Sequence, residues 1–237
     1  RSGDGGEERL GLYGTRLDPD VGAMQTWHSA LPVAWHHSSW VGDRVIDFLD
    51  EQGADQPFCL WASFSDPHMP FDCPEPWSRM HHPDEVDLPV VRERGLDRRP
   101  WWHRAYVEDQ SIDPAMDQAI YDHDESLNRL PRRNGRARNY NDTEEQLRHT
   151  IANYFGMISL IDHNVGRILD AIASRGLDND TIVIFTSDHG DWLGDHGMML
   201  KGPMFYEGLL RVGFLIKGPG IPAGKVVGDP ISNTDIA

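Results

Sequence analysis

Between Thr143 and Arg175, apolar residues recur at alternating steps of four and three: Leu147, Ile151, Tyr154, Ile158, Ile161, Val165, Ile168 and Ile172. That spacing lays them along one face of a long helix, the strongest periodic signal in the 237 residues. Thr143 with Gln146 has the form of a capping box, and Gly176 supplies a C-terminal stop. Three short apolar runs, Phe58 to Phe64, Thr181 to Thr186 and Gly213 to Lys217, are each bounded by Pro, Gly or Asp. All-apolar runs of this kind read as strands of a sheet covered on both faces. Ser39 to Gln52, with Val41, Val45, Phe48 and Leu49 on one side, reads as a helix leading into the first of them. Helix-then-strand order with buried strands predicts an α/β fold whose sheet is mostly parallel, with the long helix packed on it.

Two stretches fall outside this pattern. Residues 1–38 read as an irregular lead-in, opening on the polar, Gly-rich run Arg1 to Arg9. That run is neither a signal peptide nor an initiating segment, so the sequence is expected to begin inside a longer protein. The second stretch, Ser78 to Asp142, is rich in Pro, Arg, Asp and His, with Trp101-Trp102-His103 at its middle and a basic run from Arg132 to Arg138. It reads as an excursion with short helices that caps a site, or as a disordered surface insertion.

The net charge of −16 repels nucleic acid and anionic membranes, so neither is an expected partner. It repels small anions too, and an anion site here needs a local metal ion, a lysine or both. No apolar run approaches the roughly 20 residues that span a bilayer. Two cysteines, Cys59 and Cys73, make no disulfide framework, and Cys59 is expected to be a buried thiol.

The residues with chemistry follow two of the apolar runs. Thr181 to Thr186 leads into Ser187-Asp188-His189-Gly190-Asp191, then Gly194-Asp195-His196-Gly197 and Lys201. Open parallel sheets place ligands at such strand ends. A carboxylate beside an imidazole suits a divalent ion such as Mn, Zn or Ca, and the histidine argues against Mg alone. Gly190, Gly194 and Gly197 let the backbone turn around such a centre. Read alone, Asp-His-Gly also fits a surface turn. Phe58 to Phe64 leads into Ser65-Asp66-Pro67-His68-Met69-Pro70-Phe71, where two prolines restrict the backbone around His68. That arrangement preorganises an imidazole, or makes a rigid loop with an exposed histidine.

Asp-Pro-His-x-Pro-Phe after a strand, a helix carrying Ile161-Asp162-His163-Asn164-Val165-Gly166-Arg167, Thr-Ser-Asp-His-Gly-Asp-x-Leu-Gly-Asp-His-Gly and Lys201 together resemble the sulfatase family of the alkaline phosphatase superfamily. Phe205 to Val212 and the tail from Pro219 to Ala237 continue the likeness, which runs from about Ser39 to Ala237 apart from the excursion. The resemblance implies part of an alkaline-phosphatase-like α/β/α sandwich. It also implies metal-dependent hydrolysis of small sulfate or phosphate esters through a covalent intermediate on a formylglycine nucleophile. It gives Asp188 and His189 as ligands of one divalent ion, Ca or Mn, Lys201 as the cation on the ester's oxygens, and His68 as the histidine near the leaving oxygen.

Departures from the family pattern matter as much. Histidine at 189, where many arylsulfatases carry Asn, resembles the choline-sulfatase and phosphonate-hydrolase branch, and Gly213 stands where the family usually has Pro. The nucleophile motif, Cys or Ser in Cys/Ser-x-Pro-x-Arg, does not occur in the 237 residues. Cys73-Pro74-Glu75-Pro76 has its proline in the wrong register and follows the His68 strand. The expected whole is therefore a partial catalytic domain truncated at both ends, lacking the nucleophile region and the smaller C-terminal subdomain, and inactive by itself. Sulfuric ester hydrolysis leads for the full-length protein. Phosphonate monoester or phosphodiester hydrolysis at the same metal site, and a noncatalytic metal- or anion-binding descendant, are the alternatives. A homo-oligomer is left open, as is a cytoplasmic or periplasmic location.

Overall fold

The computed structural model describes residues 11–12, 14–23, 25–52, 56–90 and 143–236. The chain divides into two compact units: Arg1–Asp87 with Asp142–Thr181, and Leu88–Asn141 with Ile182–Ala237.

The first unit is built on two helices, α1 (His37–Glu51) and α2 (Glu144–Ser174). Both ends of α2 are closed as the sequence predicts. Thr143 Oγ1 accepts from the Gln146 N–H at 3.2 Å, and Gln146 Oε1 accepts from the Thr143 N–H at 2.9 Å. At the other end Gly176 has φ +70°, and the N–H groups of Gly176 and Leu177 donate to Ala173 and Ile172 at 2.9 and 3.1 Å, a Schellman closure. Arg175 pairs with Asp50 and fastens this end to the last turn of α1.

The buried stripe of α2 departs from the apolar pattern. Leu147, Ile151, Ile161 and Ile172 are buried as expected, but Ile158 is exposed, while Thr150, Asn153, Gly156 and Asn164 are buried. The cause is close packing on backbone. A Cβ on Gly156 would lie 2.5 Å from the Trp77 carbonyl oxygen, and one on Gly42 of α1 would lie 2.6 Å from Asn164 Oδ1. Asn164 donates to the Leu160 carbonyl at 2.9 Å and accepts from Arg167, which reaches Asp43 of α1 at 2.6 Å. Asn153 donates to the carbonyls of Trp27 and Phe71 at 3.0 and 3.1 Å. The lead-in rests on these contacts: β1 (Arg16–Leu17) pairs antiparallel with β2 (His28–Ser29), and parallel bridges join Thr26 to Phe71 and Ser29 to Pro74.

In the second unit β3 (Val183–Thr186) pairs with β4 (Phe214–Lys217), Val183 opposite Lys217 and Thr186 opposite Phe214. The pair is antiparallel, so the parallel sheet expected from the sequence does not form among the described residues. Between the strands lie no long crossover helix but the turn α3 (Glu207–Leu210) and loops, which bring the chain back in the opposite direction. The expected burial of the strands fails as well. Phe185 and Ile216 are exposed, because no described helix of this unit covers the pair. Among the described residues the unit's core is instead formed by Trp192, Met198, Met204 and Leu209, packed with Tyr206.

The run from Phe58 to Phe64 forms no ladder with any described strand. Cys59 is therefore exposed and not the buried thiol expected, and Trp61 is exposed with it. Of the excursion, Ser78 to Val90 is described and carries 3-10 turns at Trp77–Arg79 and Pro83–Glu85; Trp101, Trp102 and Arg104 lie outside the described residues. No described helix is long and apolar enough to cross a membrane.

Two substitutions report on this packing. In an open helix Gly→Ala stabilises by about 1 kcal/mol, yet at Gly156 the added methyl meets backbone. Gly156→Ala is therefore expected to destabilise by ~1–3 kcal/mol, measured by thermal melting; a rise in Tm would contradict the contact. Asp72 is buried, and that burial, helped by the Asp66 carboxylate, raises its carboxyl from 3.8 to about 6. The proton is thus held more tightly in the folded state. The associated stability is present below pH 3.8 and is lost as pH rises through about 6. Asp72→Asn keeps the neutral form at every pH, so its Tm advantage over wild type should grow from near zero at pH ~4 to several degrees at pH ~8.

Candidate active site

β3 ends at Thr186, and the chain turns at once. Ser187 Oγ donates to the His189 carbonyl at 2.9 Å, the His189 N–H donates to Asp188 Oδ1 at 2.8 Å, and Asn233 donates to the carbonyls of Ser187 and Asp188 at 3.0 and 3.4 Å. Gly190 then passes so close to Gly208 that a Cβ would sit 2.0 Å from its carbonyl oxygen. No other residue fits there.

These contacts aim two side chains. His189 Nδ1 lies 2.8 Å from the Gly190 carbonyl, which only accepts, so Nδ1 carries the proton and Nε2 presents its lone pair. Nε2 lies 3.4 Å from Asp188 Oδ2 and 3.0 Å from Lys201 Nζ. Burial pushes the Asp188 carboxyl up, but the His189 N–H and the nearby His189 and Lys201 outweigh it and hold it below the usual range. Asp188 is therefore a ready anionic donor on a mostly exposed side chain. Oxygen and nitrogen lone pairs at that separation match neighbouring ligands on an ion whose bonds are ~2.0–2.4 Å. The carbonyl behind Nδ1 is the partner a metal-binding histidine ordinarily has. The donor set fits a divalent ion, which would take the place of the Lys201 ammonium at Nε2.

Lys201 is delivered by a self-closed loop. Asp191 Oδ1 accepts from the N–H groups of Leu193 and Leu200 at 2.8 and 2.9 Å, and Trp192 N–H donates to the Leu200 carbonyl at 2.9 Å. Burial raises the Asp191 carboxyl against those two bonds, as suits a structural carboxylate. Gly194 and Gly197 take φ of +98° and +67°, the tight turning expected of them, and His196 stacks on Tyr206 at 3.9 Å. The sequence alone gives no role to Asp191 or Asn233, although both stand inside motifs that carry the resemblance.

His68 belongs to the first unit. It is exposed, its N–H donates to the Ser65 carbonyl at 3.0 Å, and its Nδ1 lies 2.7 Å from the Met69 carbonyl. Its Nδ1 therefore carries a proton, and Nε2 faces away from that bond. Both sequence readings meet here, since the loop is fixed and the imidazole is exposed. Cys73 is fully buried, and burial with the Asp66 and Asp72 carboxylates pushes its thiol far up, which leaves it no nucleophile.

A second set of donors lies in this unit. His36, His37 and Asp66 each bring a ligand atom within 4.8 Å of the others. The Asp66 oxygens are already engaged, one with His37 Nε2 at 2.7 Å and the other with the Ser38 hydroxyl. The set also surrounds the N-terminus of α1, whose partial positive charge favours the carboxylate and opposes a cation.

The fold agrees with what the chain is similar to. The sulfatase family model matches residues 36–237. An arylsulfatase of Clostridium perfringens is 31% identical over 205 residues, covering 85% of this chain and 37% of the relative. A choline-sulfatase of Rhizobium meliloti is 30% identical, covering 76% of this chain and 30% of the relative. Among solved structures, the phosphonate monoester hydrolase of Agrobacterium radiobacter superposes with a TM-score of 0.57 at 28% identity, over 82% of this chain and 35% of that one. The chain thus spans well under half the length of these relatives. A family match that runs from the N-cap of α1 to the last residue, over an α/β framework shared with these hydrolases, settles the kinship: the chain belongs to the sulfatase family.

Proposed function

We propose that this chain carries the metal- and anion-binding part of a sulfuric ester hydrolase acting on small sulfate esters. The observation that carries the reading is the grouping of Asp188, His189 and Lys201, with the His189 Nε2 lone pair 3.4 Å from a carboxylate oxygen and 3.0 Å from an ammonium. In a protein of net charge −16, Lys201 with a divalent ion on Asp188 and His189 would be where an anion finds compensation.

In this reading Asp188 and His189 hold one divalent ion, calcium or manganese. When bound, the ion lowers the pKa of the nucleophile and polarises the ester oxygens. The rest falls to side chains. Lys201 donates to the oxygens on which charge accumulates, and the Asp191 loop keeps it in place. His68 acts at the leaving oxygen. Because its Nδ1 proton is committed to the Met69 carbonyl, Nε2 has a proton to give only as imidazolium. The reading takes the nucleophile to be a formylglycine on a segment not contained in these 237 residues. It treats the chain as one partial catalytic domain.

Phosphonate monoester or phosphodiester hydrolysis is the second reading. Histidine at 189 and the likeness to a phosphonate monoester hydrolase support it. One comparison separates the two: kcat/KM for an aryl sulfate and for the matching aryl phosphonate, measured on the protein containing this chain. A preference for sulfate is expected, and a large preference for phosphonate overturns it. In the same assay Lys201→Ala should lower turnover by ~10²-fold or more; unchanged rates would remove Lys201 from the site.

A further inference from the structure

His68 is exposed, and its hydrogen bonds, to Ser65 and Met69, lie within its own loop. Its position must then come from where that loop is fastened. Downstream the fastening is backbone and apolar burial. Phe71 is fully buried, its N–H donates to the Gln25 carbonyl at 2.7 Å, and its carbonyl accepts from the Trp27 N–H at 3.2 Å and from Asn153 at 3.1 Å.

Upstream, Phe58 packs edge-on against Phe48 of α1 with ring centroids 5.7 Å apart, and nearer to His68 the fastening is a side chain. Asp66, two residues before His68, is buried, and its carboxylate faces the first turn of α1. One oxygen receives the Ser38 hydroxyl and the other receives His37 Nε2 at 2.7 Å; His36 Nδ1 stands 3.7 Å away. Hydrogen bonds to an ionised carboxylate are among the stronger ones, and the helix N-terminus favours the same charge. A buried carboxylate stripped of these donors has no cheap alternative, so the loop is held at this point by a steep well.

We propose that Asp66 is a positioning residue for His68, fastening the catalytic loop to the N-terminus of α1 through Ser38 and His37. The proposal rests on the reading of His68 as the group at the leaving oxygen. His37 is the adjustable partner, half exposed and bonded to Asp66 through a single nitrogen.

The test is a double-mutant cycle on kcat and KM for a small aryl ester, using the protein containing this chain. Asp66→Asn is expected to lower kcat by ~10-fold or more with KM little changed, the scale of a misplaced group. In a His68→Ala background the same substitution should cost almost nothing, because the group it positions is gone. Should Asp66→Asn fold poorly, His37→Ala serves in its place, and His37→Gln, whose amide keeps a donor for Asp66, should recover most of the lost kcat. Equal losses in both backgrounds, or no loss with wild-type His68, overturn the positioning role while leaving His68 in place. Unchanged kcat in His68→Ala alone overturns the reading of His68 and this proposal with it. If an Asp188→Ala protein holds one equivalent of a transition metal that Asp66→Asn removes, the three side chains are a metal site and the positioning role is wrong.

Discussion

Asn153 donates to two carbonyls, those of Trp27 and Phe71, and the first unit is arranged around that pair of bonds. One carbonyl belongs to the lead-in and the other to the segment that follows His68, so a single buried amide on α2 fixes both. A buried amide with its donors used is stable, whereas one left unmatched would cost more than most apolar contacts return. The same logic recurs along the helix. Thr150 bonds Thr26 at 2.9 Å, Gly156 clears the Trp77 carbonyl, and Asn164 meets Gly42. α2 is therefore a spine whose small and polar residues receive backbone or, at Thr150, a facing hydroxyl, with Leu147, Met157 and Leu160 filling the space between.

In the second unit a backbone carbonyl does comparable work on a smaller scale. By taking the Nδ1 proton of His189, the Gly190 carbonyl decides which nitrogen faces Asp188 and Lys201. That carbonyl is held in turn by the close pass of Gly190 at Gly208, so a steric fact about one glycine reaches the chemistry of the neighbouring imidazole. Asn233 braces the same turn from the far end of the unit.

What the sequence disclosed follows how local each signal is. The capping box at Thr143, the stop at Gly176 and the face of α1 are short-range, and they appear where the residues place them. α1 begins two residues before Ser39 because His36 caps it through its ring, accepting from the Ser38 N–H at 3.4 Å. Strand identity was legible at Val183–Thr186 and Phe214–Lys217, but pairing direction was not, since nothing within a four-residue apolar run encodes its neighbour. Ile158 misled because period alone cannot tell a stripe that meets side chains from one that meets backbone. The grouping of Asp188, His189 and Lys201 was legible as a motif. The Asp66 bonds to residues near position 37 were not, being contacts between segments about thirty residues apart that carry no shared pattern.

The proposed chemistry depends on Asp188 and His189 as a metal pair, and metal content tests that pair most directly. Elemental analysis of the purified protein containing this chain should find one equivalent of a divalent metal, with Asp188→Ala and His189→Ala each removing it while the circular dichroism spectrum stays unchanged. Full metal content in both variants would contradict the assignment and, with it, the chemistry built on that pair.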